Sequence, residues 1–157
     1  MTTLITPQQV IDNAFAAIDD LSPDSITPSD IIAATTRYIE AIVGNNLLQC
    51  IAEGDYPQLY HDYVVPALSW AVRYMVQPSL NIRTSDAGLF APRSNSATEP
   101  STQATQALMR SIKLRLQTLL RRLSDHLNAN SEQYEQYDPK CNALNRCSIY
   151  GGYIQIW

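Results

Sequence analysis

A chain of 157 residues with 45% hydrophobic side chains has room for one domain with a real core. Its formal net charge of −4 excludes a predominantly basic, general nucleic-acid binder. The charge is unevenly placed: residues 1–72 hold nine acidic side chains against Arg37 alone, whereas residues 73–157 hold ten basic against six acidic.

Thr6-Pro7-Gln8-Gln9 opens the first predicted helix, with Thr6 as cap and Pro7 at the first helical position. Val10, Ala14, Ala17 and Ile18 extend its stripe to about Asp20. Ser22-Pro23-Asp24-Ser25 is a turn, and Thr27-Pro28 repeats the cap-then-proline signal for a second helix through Ile42. Gly44-Asn45-Asn46 ends or bends it, and a short helical turn through Leu47, Leu48 and Ile51 closes at Gly54. Asp55-Tyr56-Pro57 begins a third helix, in which Pro66 predicts a kink or break near Tyr63. Its aromatic residues 56, 60, 63, 70 and 74 recur at helical spacing and read as core packing with hydroxyls at the rim. Gln77-Pro78 should stop the helix.

Residues 79 to 92 switch to period two around Asp86-Ala87-Gly88 and predict a β-hairpin. Ile82, Arg83, Asp86, Gly88 and Phe90 are its candidate contacts with a channel or a neighbouring subunit. Residues 91 to 101, rich in Pro, Ser, Asn and Thr, read as a mobile loop. The longest helix follows from Thr102 to about Asn128, with Leu108, Ile112, Leu116, Leu119, Leu123 and Leu127 as one buried stripe. Arg110, Lys113, Arg115, Arg121 and Arg122 occupy the remainder and are assigned to a subunit interface. No aromatic residues interleave with them along the sequence, which favours a solvated or subunit-facing stripe over DNA readout.

The terminus after Arg146 is strand-like. Ile149, Tyr150, Tyr153, Ile154, Ile156 and Trp157 are β-branched or aromatic, and alternate residues from Tyr153 onward fall on opposite faces. A lone strand cannot satisfy its own backbone, so this segment calls for a sheet edge to pair with. It either folds back onto its own helices or docks on another chain by strand addition.

Little here is built for chemistry. No glycine-rich phosphate loop occurs, and His61 beside Asp62 and His126 beside Asp125 are adjacent helical positions that point apart. Cys50, Cys141 and Cys147 read as free thiols of a reducing compartment, and the spacing of the last two suits no zinc site. The expectation is therefore a non-enzymatic protein with no metal or cofactor. The start of the chain lacks the pattern of a secretory signal, and no apolar run has membrane-spanning length.

Three stretches in order carry a resemblance: Ser29-Asp-Ile-Ile-Ala-Ala-Thr-Thr-Arg-Tyr-Ile-Glu-Ala-Ile-Val-Gly44, then Tyr60-His-Asp-Tyr-Val-Val-Pro-Ala-Leu-Ser-Trp70 and onward to Met75, then Leu80 to Leu89. This sequence of helix–glycine, Tyr-x-x-Pro-Ala-Leu helix, hairpin, polar loop and long helix, over about residues 28 to 130, resembles the head–tail connector (adaptor) proteins of tailed bacteriophages. The residues themselves read as a mainly α fold, a small helical bundle over residues 1–138 with one β-hairpin and an extended C-terminal arm over 139–157; the resemblance implies a small helical domain, and the first helix and the arm after Asp138 fall outside it. It further implies a virion protein made in the host cytoplasm, assembled as a ring of twelve copies. Such a ring lies below the portal, extends the DNA channel without reading sequence, and meets tail or further ring proteins. The arm would reach the portal. The reading that stays open beside it is a cytoplasmic helical interaction or regulatory module with no catalysis.

Overall fold

The computed structural model describes residues 3–16, 21–81, 83–85, 88–90, 101–150 and 153–156, and it is mainly helical. Helix α1 (Pro7–Ala14) starts on a capping box in which Thr6 accepts from the Gln9 backbone and Gln9 answers to Thr6. Thr27 and Asp30 repeat the device at α2 (Pro28–Ala34). A π-helical stretch, Thr35–Glu40, follows without a break and leads into α3 (Ala41–Val43). Gly44 (φ 79°) turns the chain into α4 (Asn45–Glu53), and Gly54 (φ 101°) ends that helix in the left-handed region. Next come α5 (Pro57–Leu59), a second π stretch (Tyr60–Val64), α6 (Val65–Asn81) and α7 (Thr102–Ala129).

Helix α6 is the hub. It packs against α1, α2 and α7, and Val65, Ala67, Leu68, Ala71, Val72 and Val76 are all buried. A helix that is apolar round most of its circumference can satisfy itself only at the centre of a bundle. Around it Ile31, Ile39, Leu47, Leu59, Leu116, Leu123 and Leu127 complete one core. No helix among the described residues is long and apolar enough to cross a membrane.

Several expectations need correction. Helix α1 ends at Ala14 instead of near Asp20: Phe15 is extended, its ring lies 4.4 Å from the Arg73 guanidinium, and Arg73 donates to the Ala14 carbonyl. A donor from α6, distant in sequence, thus satisfies one of the orphan carbonyls at the helix end. Residues 17–20 lie outside the described set. Helix α6 runs through Pro78 to Asn81, where Gln77 Nε2 donates to Asn81 Oδ1 at 3.2 Å across the last turn. Ser79, Leu80 and Asn81 are therefore helical, and strand geometry begins only at Arg83.

The buried stripe of α7 is Ile112, Leu116, Leu120, Leu123 and Leu127, with Leu120 in place of Leu119. Leu108 is 39% exposed, and Leu119 is only half-buried. Both face a flank, because the seam against α6 takes one arc of the helix and those two leucines lie at its edge.

Two short antiparallel ladders are described by their backbone. β1 (Arg83–Ser85) pairs with β2 (Gly88–Phe90), Arg83 opposite Phe90. β3 (Cys147–Tyr150) pairs with β4 (Tyr153–Ile156), Cys147 opposite Ile156. The terminus expected as one extended strand from Ile149 to Trp157 thus turns back on itself. Between its strands the sequence has Gly151-Gly152, a composition that two-residue hairpin connections favour. Residues 139–146, expected to belong to the arm, are instead hydrogen-bonded to α7.

Candidate functional site

The site grows from one proline. Pro66 has no N–H to return to the Asp62 carbonyl four residues earlier, so a regular α-helix cannot pass through it. The chain answers with the π stretch Tyr60–Val64, closed by the Val65 N–H on the Tyr60 carbonyl. The orphaned Asp62 carbonyl accepts from Arg122 Nη1 of α7 at 3.4 Å, and the Arg122 guanidinium lies over the Tyr63 ring, 4.6 Å from its centroid. Seven residues along each helix the pairing repeats, with Arg115 over Trp70 at 5.1 Å. Helices α6 and α7 run antiparallel here, so Trp70/Arg115 and Tyr63/Arg122 form two rungs of a ladder. Each rung holds a guanidinium against an aromatic face, an attraction of about 0.5–1 kcal/mol at exposed sites. It leaves N–H edges of a preset plane for carboxylate or phosphate. Arg73 adds a third guanidinium over Trp70, at 5.3 Å.

A hollow of about 340 Å³ lies beside the first rung, lined by Trp70, Leu114, Arg115, Thr118 and Leu119. A wider, open groove of about 670 Å³ continues from Thr118 past Tyr63, Arg121, Arg122 and Asp125 to His126 and Asn130. His126 stacks on Tyr63 with 4.0 Å between centroids, and its Nε2 is 2.9 Å from the Tyr134 hydroxyl. Burial, reinforced by the Arg122 charge, holds this imidazole below the usual histidine range.

Beyond His126 the chain folds back as a clasp, and polar groups hold it. Asn142, fully buried, donates from Nδ2 to the Ser124 hydroxyl and to the Tyr137 hydroxyl, each at 2.8 Å, and accepts from the Leu144 N–H at 2.9 Å. The Tyr137 hydroxyl donates in turn to Asn128 Oδ1 at 2.7 Å, and the side-chain amides of Asn128 and Asn145 exchange hydrogen bonds at 2.8 Å. Tyr56, held at φ 55°, donates to Gln136 at 2.9 Å and meets the Tyr134 ring edge-on. The clasp therefore holds residues 134–146, which lead into β3, against the bundle.

The structure splits the five basic residues assigned to one interface. Arg115, Arg121 and Arg122 lie along the Trp70/Tyr63 groove, whereas Arg110 and Lys113 line a separate hollow of about 300 Å³ with Tyr74 and Met109. Aromatic and basic residues do interleave, but across α6 and α7 and not along either. The sequence signal was present as matching steps of seven, 63 to 70 and 115 to 122, yet nothing in one helix tells which partner helix it faces. The Asn142 network had no signal. His61 stands edge-on to Tyr60, and the described residues hold no cluster of three or more metal-ligating side chains.

Of the hairpin candidates, Arg83, Gly88 and Phe90 sit on the β1–β2 ladder, while Ile82 and Asp86 lie outside the described residues. The same holds for the expected loop at 91–100, and Ser101 caps α7. Ile149, Tyr150, Tyr153, Ile154 and Ile156 take their places on β3 and β4, and Trp157 lies outside.

Residues 19–146 match the model of a family described as a family of unknown function (DUF6712). No curated protein and no solved structure matches the chain.

Proposed function

We propose that this chain, which belongs to that family of unknown function, is a virion structural protein: a head–tail connector that joins a portal to the tail through its C-terminal hairpin. The observation that carries the reading is the contrast at the terminus. A network of buried polar groups secures residues 134–146 to the bundle, and a two-stranded ladder rich in β-branched and aromatic residues follows directly. Two strands alone are marginal in water, and both outer edges of such a ladder have unpaired backbone groups. A rigid root that carries an under-supported ladder suits strand addition to another chain. The charge division between the two halves, and the ordered motifs over about residues 28 to 130, support the same role. No group in the site is arranged for catalysis in this reading, which needs no cofactor.

The internal pairing of β3 with β4 favours the second reading, a helical interaction module whose tail is folded at home. One experiment separates them. The full chain and a variant ending at Cys147 are purified, compared by circular dichroism and melting, and mixed with a purified phage portal protein. The connector reading expects a folded truncated protein that no longer joins the portal. A truncated protein that unfolds places the hairpin in the chain's own core, and full-length protein that ignores the portal removes the connector role.

A further inference from the structure

The groove between α6 and α7 carries more positive charge than the chain itself neutralises. Arg115, Arg121 and Arg122 lie along it, and among the described residues none of the three has a carboxylate at ion-pair distance. Asp125 lines the groove three residues past Arg122, towards Asn130, so the stretch from Arg115 to Arg122 is its cationic part. Aromatic rings hold two of these guanidiniums in place, Trp70 under Arg115 and Tyr63 under Arg122, which also bonds the Asp62 carbonyl. A guanidinium fixed by stacking has its N–H edge preset for an anion. Beside Arg115 the hollow is walled by Trp70, Leu114 and Leu119, and Leu114 is 64% exposed. Thr118 borders both the hollow and the groove, so the two form one surface.

The spacing of the two rungs selects the shape of what fits. Seven residues along a helix span about 10.5 Å, and side chains seven apart differ by only about 20° in direction. A helix laid along the groove therefore meets both guanidiniums with carboxylates seven residues apart. An extended peptide repeats one face at about 6.6 and 13 Å, which misses that step. An open trough also suits a long occupant, since small-molecule sites enclose most of their ligand. The rings argue against nucleic acid: Tyr63 already carries His126 at 4.0 Å and Arg122 at 4.6 Å, and Trp70 carries Arg115 and Arg73 at 5.1 and 5.3 Å. Single strands stack their bases on bare aromatic faces. Among the described helices none presents two carboxylates seven residues apart, so a second copy does not supply the occupant. We propose that the α6–α7 groove docks an acidic amphipathic helix of another protein, with two carboxylates one heptad apart on Arg115 and Arg122 and an apolar side chain in the Trp70/Leu114 hollow. The site uses none of the C-terminal hairpin's residues and does not depend on the connector role.

Its strength follows from size. One helix of about three turns covers well below the roughly 800 Å² per partner of a stable interface. Binding is therefore weak, on the order of 100 μM, and falls with salt. The arginines set register and encounter rate more than affinity.

Fluorescence anisotropy with the full chain tests this. The probe is a labelled alanine-based helical peptide with two glutamates seven residues apart and a leucine on the same face, one turn before the first. A control peptide has the same composition, with its second glutamate moved to the opposite face. The matched peptide should bind saturably, about fivefold or more tighter than the control. Arg115→Gln and Leu114→Asp should each weaken its binding by about fivefold or more. Leu114 is exposed and has no core contacts to lose, so that variant should melt like wild type. Arg110→Gln/Lys113→Gln removes twice the charge from the separate hollow and should leave binding within about twofold, because distant exposed charges are screened. Equal binding of the two peptides, or a loss in the Arg110/Lys113 variant as large as in Arg115→Gln, would reduce the site to unspecific charge and overturn the proposal. Absence of saturable binding would overturn it too. Tighter binding of inorganic tripolyphosphate or of a single-stranded oligonucleotide, lost in Arg115→Gln, would assign the guanidiniums to phosphate instead.

Discussion

Replacing Asn142 by alanine isolates the clasp. The side chain makes three short hydrogen bonds in a site without solvent, two donated by Nδ2 and one accepted by Oδ1. Its loss leaves the Ser124 hydroxyl and the Leu144 N–H without these partners, while Tyr137 keeps its bond to Asn128. At about 1 kcal/mol per net hydrogen bond, and more for a buried group left unsatisfied, the cost is roughly 2–4 kcal/mol. That is a large share of a typical stability of about 5–15 kcal/mol. With a urea slope of about 2 kcal/mol/M, the unfolding midpoint should fall by about 1–2 M. Ser124→Ala should cost about 1 kcal/mol, and the double variant less than the sum, because both changes delete the same bond. Amide exchange should speed first in residues 131–146 while α6 remains protected, since the clasp can open before the core. An Asn142→Ala stability within about 0.5 kcal/mol of wild type, or strict additivity with Ser124→Ala, would refute the assignment of the clasp to this network.

His126 sits below its ordinary range in the fold, so the unfolded chain takes up a proton at higher pH than the folded one. Stability should be level above about pH 7 and fall as pH drops through the ordinary histidine value toward the folded one. Melting from about pH 8 to 5 should show that slope in wild type and a flatter one in His126→Gln. Thr27→Ala removes one half of the capping box at α2 and should cost about 1 kcal/mol by chemical denaturation, with Thr6→Ala similar at α1. At Gly54 a new Cβ would meet nothing within 4 Å, so Gly54→Ala should cost about 1 kcal/mol through backbone conformation alone, and Gly54→Asn less. Equal stability of the two Gly54 variants would contradict that account.

The sequence alone determined what depends on neighbours along the chain. Thr6-Pro7 and Thr27-Pro28 fixed two helix starts, because a cap needs only a side-chain oxygen and the next backbone N–H groups. Pro66 announced the irregular stretch at Tyr63, because a missing N–H is a local fact. Helical periodicity gave α7 to within one residue of Ala129, and the terminal run of β-branched and aromatic residues marked strand geometry.

Tertiary structure decided whatever depends on which surfaces meet. A stripe of leucines spaced by three or four is compatible with a burial arc shifted by one residue, and only packing against α6 selected Leu120 over Leu119. Helix α1 stopped early because Arg73, 59 residues away, supplied a donor to Ala14. The aromatic and basic residues of the ladder lie on separate helices, where an antiparallel register invisible to either one brings Arg115 to Trp70 and Arg122 to Tyr63. Asn142 shows the limit most plainly: an asparagine in a polar stretch reads as solvated turn until the fold removes the water and gives it Ser124, Tyr137 and Leu144 instead.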